Sequence, residues 1–284
     1  MFLIRLLSRL PLRILYGIAD FLFFLSYYVV RYRRKMVWKN LGNAFPQKTP
    51  VELRQIEKKF YRNLCDYAVE MLKLLTIRRE ELARRMVFKN TEVAMKHYNR
   101  NQSVLHLTSH QFNWEWLLAA GSFTYPAEMN FVYQPVNNAS VNDLTNEVRT
   151  RFGAHPIRRD SVAREAVKRR NILHGIAIVA DQYPGYGHDK KYTARFLNQE
   201  TVFFYGTNQL AVLTQYPAVY YKLKKVKRGY YEATVVEIAA PPYAKESDTV
   251  IENYVRVVEE VIQEDPAGWL WSHNRWKTRH LKKA

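Results

Sequence analysis

The stretch from Ser103 to Ala119 restricts the fold of this chain more than any other. It begins with a short apolar run, Val104 to Leu107, which is typical of a buried strand that ends near Thr108. Asn113 then provides a favourable N-cap, and the residues after it have the pattern of a helix. The sequence therefore predicts a strand, a loop and a helix in immediate succession, which is the building unit of α/β folds.

His110 and Glu115 lie within this unit, five residues apart. On a regular helix their side chains would point roughly 140° apart, so they can meet only if His110 precedes the helix and Glu115 lies in its first turn. In that arrangement Glu115 would fix the tautomer of the imidazole, and His110 would act as a general base. A loop histidine with an incidental glutamate is the alternative, because this spacing arises easily by chance.

The rest of the chain alternates between strand-like and helix-like patterns. Thr49 to Glu52 is a capping box, and apolar residues three or four apart follow it, so we expect a long helix that packs on the sheet. Further strands are expected at 129–133 and 175–180, a hairpin at 219–225 and 230–238, a loop at 183–198, and helices at 78–85, 92–98, 143–151, 161–170, 203–214 and 247–263. This alternation predicts an α/β fold with a mixed, largely parallel central sheet flanked by helices.

Asp181 and Gln182 come directly after the apolar run at 175–180. The carboxyl end of a buried strand is where α/β folds place their functional sites. We therefore regard both residues as candidate binding residues, with a turn or helix-cap role as the alternative for Asp181.

The first 35 residues have the composition of a membrane-binding segment. Residues 14–30 are apolar almost throughout apart from Asp20, and basic residues flank them on both sides. A run of this length is near the lower limit for a spanning helix, which needs about 20 residues, and a helix lying in the membrane interface is the second possibility. We expect residues 1–35 to form a membrane anchor with a basic flank and residues 36–284 to form a domain on the cytoplasmic side.

The chain carries 44 Lys and Arg against 26 Asp and Glu, a net charge of +18. Such an excess indicates an anionic partner, which could be nucleic acid, an anionic membrane, an acidic protein or a phosphorylated substrate. The sequence has no nucleic-acid recognition motif, and its apolar first segment argues against that partner. It also lacks the Gly-x-Ser-x-Gly motif of a serine nucleophile elbow. Because Cys65 is the one cysteine in the sequence, a metal site made of several cysteines is excluded. A hydrolase that uses His110 and Glu115 on water is therefore the weaker alternative.

Taken in order, these features resemble the late acyltransferases of lipid A biosynthesis, the lauroyl and myristoyl transferases of the lysophospholipid acyltransferase superfamily. The resemblance covers nearly the whole chain, and the amino-acid sequence of residues 196–206 and of the tail is similar to that of the Bacteroidetes branch. Besides the apolar first segment, it is carried by Asn40–Pro46, Ser109–Trp116, Tyr133–Asn137, Arg149–Gly153, Ala180–Gln182, Phe196–Asn198 and Trp269–Trp276.

The resemblance implies transfer of an acyl chain from acyl carrier protein or CoA to a hydroxyl of a phosphorylated glycolipid, at the cytoplasmic face of the cell inner membrane. It implies His110 as the base, Glu115 as its acidic partner and Arg149 as the residue that stabilises the oxyanion, with Arg151 as the alternative. No cofactor, metal ion or nucleic acid is expected. A lysophospholipid or amino-acid lipid as acceptor, and a membrane scaffold without catalysis, remain alternatives. The candidate substrate-binding residues are Asn113, Tyr133, Asn137, Arg151, Asp181 and Gln182.

Two positions depart from the family pattern. Asn198 stands where glycine is usual, and Gln111 stands where phenylalanine or tyrosine is common. Because asparagine tolerates a left-handed backbone, we expect the turn at Asn198 to persist. Gln111 is expected to leave the fold intact and to bear on substrate preference.

Overall fold

A seven-stranded sheet forms the centre of the computed structural model, which describes residues 2–135, 138–185, 187 and 189–277. Its strand order is β1-β9-β8-β2-β5-β3-β4. Every neighbouring pair is parallel except β8 and β9, so the predicted mixed, largely parallel sheet is confirmed. The strands are β1 (Met86–Lys89), β2 (Val104–Thr108), β3 (Glu128–Tyr133), β4 (His155–Arg158), β5 (His174–Val179), β8 (Ala218–Lys227) and β9 (Tyr230–Ala239).

Helices flank this sheet, as predicted. They are α1 (Phe2–Ser8), α2 (Leu12–Phe24), α3 (Arg34–Ala44), α4 (Pro50–Lys73), α5 (Arg79–Arg85), α6 (Glu92–Tyr98), α7 (Trp114–Gly121), α8 (Ala139–Thr150), α9 (Val162–Lys168), α10 (Gly206–Thr214) and α11 (Thr249–Glu264). A π-helical turn, Leu25–Val29, extends α2. The helix α4 packs against both α2 and α7, whereas α11 packs against β8, β9 and α10.

Local signals in the sequence explain several of these boundaries. The side chain of Thr49 accepts a hydrogen bond from the backbone of Glu52, and the Glu52 carboxylate bonds back to Thr49, which confirms the predicted capping box of α4. The Asn113 side chain accepts a hydrogen bond from the backbone N–H of Trp116 at 2.9 Å, which confirms it as the N-cap of α7.

The expected loop at 183–198 was wrong in its second half. Residues Lys191–Phe196 (β6) and Gln199–Phe204 (β7) form a separate antiparallel hairpin, and the helix that follows begins at Gly206 rather than Phe203. Leu197 and Asn198 form its turn with φ values of 48° and 62°. Asn198 therefore adopts the left-handed backbone expected of it, in the kind of two-residue turn that suits the twist of a hairpin.

Candidate active site

The pairing of β2 with β5 brings His110 and Asp181 together. Thr108, the last residue of β2, is directly opposite Val179, the last residue of β5. Parallel strands lie about 4.8 Å apart, so residues two positions past these ends leave the same edge of the sheet side by side. His110 and Asp181 are those residues, although 71 positions separate them in the sequence.

The carboxylate of Asp181 holds the imidazole of His110. Its Oδ1 lies 2.6 Å from Nδ1 of His110, and its Oδ2 accepts the backbone N–H of His110 at 3.1 Å. The prediction that Glu115 fixes the tautomer therefore needs correction, because the bonded carboxylate belongs to Asp181. With Nδ1 in this bond, Nε2 is the nitrogen left to receive a proton from a substrate.

Asp181 is 1% exposed, and a third hydrogen bond helps to keep it ionised. The indole Nε1–H of Trp269 donates to Oδ2 at 2.6 Å. Burial by itself raises the pKa of Asp181, but the charge of His110 and the hydrogen bonds from His110 and Trp269 outweigh it, so the pKa lies below its usual value. Asp181 is thus a carboxylate throughout the neutral range.

The segment that carries Trp269 also holds the loop of His110. The backbone N–H of Leu270 donates to the His110 carbonyl at 3.0 Å, and that of Phe112 donates to the Gly268 carbonyl at 2.8 Å. Phe112 has a φ of 49°, and a Cβ on Gly268 would lie 2.6 Å from its ring, so only glycine permits this approach. The sequence marks the tail as a motif, but no local signal predicts a role for Trp269, since its partner lies 88 positions away.

Glu115 instead forms a buried ion pair with Arg149. The Nε and Nη2 groups of Arg149 donate to the two carboxylate oxygens at 2.8 and 2.5 Å, and Trp114 adds an indole N–H at 3.1 Å. Glu115 is 2% exposed. Burial lowers the pKa of Arg149, but the adjacent carboxylate outweighs this effect and raises it, so the guanidinium stays charged.

A cavity of about 480 Å³ opens beside these residues, and His110, Glu115 and Arg149 all line it. Much of its wall is apolar, and includes Leu117, Leu118, Met129, Phe131, Ala177 and Val179. His106, on β2, also lines the cavity. Its apolar lining suits an aliphatic chain.

Two residues that line the cavity, His106 and Tyr221, belong to a buried polar cluster. The ring nitrogens of His106 lie 2.6 Å from the Tyr221 hydroxyl and 2.5 Å from the Tyr98 hydroxyl, and Tyr221 donates to Tyr125 at 2.9 Å. Burial lowers the pKa of His106 to about 3, so this imidazole is neutral and is satisfied by tyrosine hydroxyls rather than by a charge.

The candidate binding residues occupy different positions. Tyr133 and Gln182 line the cavity. Arg151 lies elsewhere and donates to the carbonyls of Leu74 and Ile77 at 2.8 and 2.6 Å. Asn137 lies outside the described residues.

Asn113 is fully buried beneath the site. Besides capping α7, its amide donates to Glu70 at 2.6 Å, and Glu70 also accepts the hydroxyls of Tyr16 and Tyr231 at 2.8 and 2.7 Å. The side chain of Asn113 is therefore engaged with α7 and α4, where it positions the first turn that carries Glu115.

A histidine held by a buried carboxylate at the mouth of an apolar cavity is an arrangement for proton transfer beside a long aliphatic group. An α/β fold with these groups at the edge of its sheet is the arrangement expected of an enzyme that uses a general base. Residues 1–278 match the family described as bacterial lipid A biosynthesis acyltransferase, and the chain belongs to that family. It is accordingly an acyltransferase of EC class 2.3.1 and acts in lipid A biosynthesis, in a family that is associated with membranes. No curated protein matches the chain.

Proposed function

We propose that this acyltransferase moves a fatty acyl chain from a thioester of acyl carrier protein or CoA to a hydroxyl of a phosphorylated lipid A precursor. The observation that carries the proposal is the 2.6 Å contact between His110 Nδ1 and Asp181 at the mouth of the apolar cavity. It leaves Nε2 as the base and puts a hydrocarbon-lined space beside it. The prediction of a Bacteroidetes-like branch stays a prediction.

In the proposed reaction, His110 Nε2 takes the proton of the acceptor hydroxyl while that oxygen bonds to the thioester carbonyl. The tetrahedral intermediate then collapses, the carbon–sulfur bond breaks, and the imidazolium returns the proton to the leaving thiolate. A thiol with an ordinary pKa near 8.5 leaves readily, so no covalent acyl-enzyme is needed. Asp181 stabilises the imidazolium in between, as the acid member of a triad does.

Arg149 is proposed to stabilise the oxyanion. Its guanidinium lines the cavity and is oriented by two hydrogen bonds to Glu115, which involve Nε and Nη2. Nη1 is the remaining nitrogen, and it can donate to a developing negative charge. The role of Glu115 thus changes from partner of the base to partner of the arginine. Arg151 is less suited, since it serves two backbone carbonyls of the α4 terminus.

Charge supports an anionic acceptor and an anionic membrane. Arg159 lies among the residues that line the cavity, and the chain as a whole carries +18. Acyl carrier proteins, lipid A phosphates and inner-leaflet phospholipids are all negatively charged, so the proposed location is the cytoplasmic face of the cell inner membrane.

Mass spectrometry of lipid extracts tests the proposal, in cells without the gene complemented by wild type, His110→Ala or His155→Ala. His155 is an exposed histidine on β4 and serves as the matched control. We expect lipid A to lose one acyl chain, and wild type and His155→Ala to restore it while His110→Ala does not. Restoration by His110→Ala would refute the assignment of His110 as the base. If lipid A were unchanged and another lysolipid accumulated, that lysolipid would be the acceptor instead.

A further inference from the structure

We propose that α2 and its π-helical extension lie in the plane of an anionic lipid surface and do not cross the bilayer. Leu12–Val29 is long and apolar enough to span a membrane. Its packing against the domain, however, points to an interfacial position. The inference rests on the membrane location proposed above but not on the transfer reaction.

One face of α2 is packed along α4. Leu12, Leu15, Ala19, Phe23 and Tyr27 are three or four residues apart and are all buried. The two helices run antiparallel, because Tyr16 bonds to Glu70 near the end of α4 and Tyr27 bonds to Glu57 near its beginning. The segment is thus fixed to the side of the domain over most of its length.

The opposite face is apolar and open. Ile14, Phe21, Leu25 and Tyr28 are spaced by seven, four and three residues, which places them on one side of the helix, and all four are exposed. Ten of the 17 large hydrophobic residues exposed in the described chain lie between Leu3 and Tyr32. This is the main exposed apolar surface of the described residues, and a surface of this kind marks an interaction site.

Charged groups beside α2 are incompatible with a spanning orientation. Asp20, at the middle of the apolar segment, is bonded at 2.7 Å to Arg228 in the turn between β8 and β9. If α2 crossed the bilayer, this pair and the turn of the β8–β9 hairpin would lie near the midplane. Charged side chains are costly at that depth, and turns or loops exposed to lipid are not found in hydrocarbon.

The α4 side of the contact gives the same result. The guanidinium of Arg62 lies 5.0 Å from the Phe23 ring, and the ammonium of Lys58 lies 5.8 Å from the Tyr28 ring. These cations can remain in the headgroup region only if the helix pair lies parallel to the membrane.

An anionic surface is the partner that these charges fit. Exposed basic residues flank the apolar face on both sides, with Arg9 and Arg13 at the start and Arg31, Arg33 and Lys35 at the end. Basic groups near an anionic leaflet are attracted to it, and burial of the apolar face in the lipid adds to the binding.

Cysteine labelling with a membrane-impermeant maleimide tests the orientation. The full chain would carry Arg9→Cys or Lys35→Cys, which lie on either side of the segment, and the buried Cys65 makes wild type the blank. We expect both cysteines to react from the same side, in inverted inner-membrane vesicles, and neither to react in spheroplasts. Reaction of Arg9→Cys only from the opposite side, or from neither side until detergent is added, would overturn the proposal. Because labelling does not depend on turnover, its outcome is separate from that of the lipid analysis.

Binding to vesicles provides a second test. Phe21→Ser combined with Leu25→Ser should lower partition of the purified chain into phosphatidylglycerol-containing vesicles by at least about tenfold. Leu213→Ser, an exposed apolar residue on α10, is the matched control and should bind like wild type. Equal binding of the double variant would show that this face does not meet the lipid and would overturn the proposal.

Discussion

Replacement of Asp181 by asparagine should abolish turnover without unfolding the protein, and the structure indicates why. Two N–H donors, the backbone of His110 and the indole of Trp269, both point at Oδ2, so the amide oxygen of the variant would be drawn to that position. Its NH₂ group would then face Nδ1 of His110, where the carboxylate oxygen now lies at 2.6 Å. Nδ1 would become an acceptor, Nε2 would carry the proton, and the imidazole could no longer act as a base.

The expected loss is large because the tautomer is wrong in the ground state. Loss of the orienting carboxylate from a triad lowers kcat by about 10⁴, which corresponds to about 5 kcal/mol in the barrier. Substrate binding in the cavity does not use this carboxylate, so KM should change little. The assay is the steady-state rate of acyl transfer to a lipid A precursor in detergent, with the thermal midpoint as a control for folding.

The same assay separates the two possible partners of the base. Asp160→Asn changes an exposed carboxylate that bonds to its neighbours Arg158 and Ser161 and should leave kcat unchanged. Activity of Asp181→Asn within tenfold of wild type, in a folded protein, would refute the reasoning from the Nδ1 contact. It would also return Glu115 to the position of candidate partner.

Two other predictions test the role of Arg149 and the burial of neutral His106. Arg149→Ala should lower kcat by a factor of about 10²–10³, which is the usual effect of losing an oxyanion donor. Arg151→Ala should instead lower the free energy of unfolding by about 1–3 kcal/mol and leave kcat near wild type. The reverse pattern would show that Arg151, and not Arg149, stabilises the oxyanion. The pKa of His106 is about 3 in the folded protein against an ordinary value near 6.5, so at pH values between the two only the unfolded chain binds a proton at this residue. The contribution of neutral His106 to the free energy of unfolding should therefore be fully present above pH 6.5 and should fall by up to about 1.4 kcal/mol per pH unit as the pH drops toward 3. Denaturant titrations at several pH values give the free energy of unfolding as a function of pH. Its dependence on pH should be weaker in His106→Gln than in wild type and unchanged in His155→Gln. An unchanged pH dependence in His106→Gln would contradict the conclusion that His106 is buried in its neutral form.

Local signals predicted the strand–loop–helix unit because its determinants are close in sequence. The apolar run of β2 and the N-cap at Asn113 lie within a few residues of the elements they specify, and both are confirmed. The capping box at Thr49 predicted the start of α4 for the same reason. Such features depend on the backbone nearby and not on the packing of the whole chain.

The partner of His110 could not be predicted in this way. The sequence favours Glu115 because it is near His110 in the chain, whereas the contact with Asp181 depends on the register of β2 against β5. Asp181 itself was identified as a residue at the end of a strand, but no spacing rule connects it to His110. The β6–β7 hairpin was missed because Pro184 and Gly185 favour a loop just before it, and its turn residues, Leu197 and Asn198, include no glycine.

The contact between Trp269 and Asp181 has a consequence for the synthesis of the protein. The ribosome makes the His110 loop and the Asp181 strand well before it makes residues 268–270, which bond to both. Asn40 of α3 in turn donates to the carbonyls of Trp271 and His273. A segment that is synthesised late therefore packs against a helix that is synthesised early. A chain released before residue 268 would still carry the base and its carboxylate, but it would lack the indole N–H on Asp181 and the two backbone hydrogen bonds that hold the His110 loop. We therefore expect termination before residue 268 to lower activity even though every residue of the proposed reaction is present.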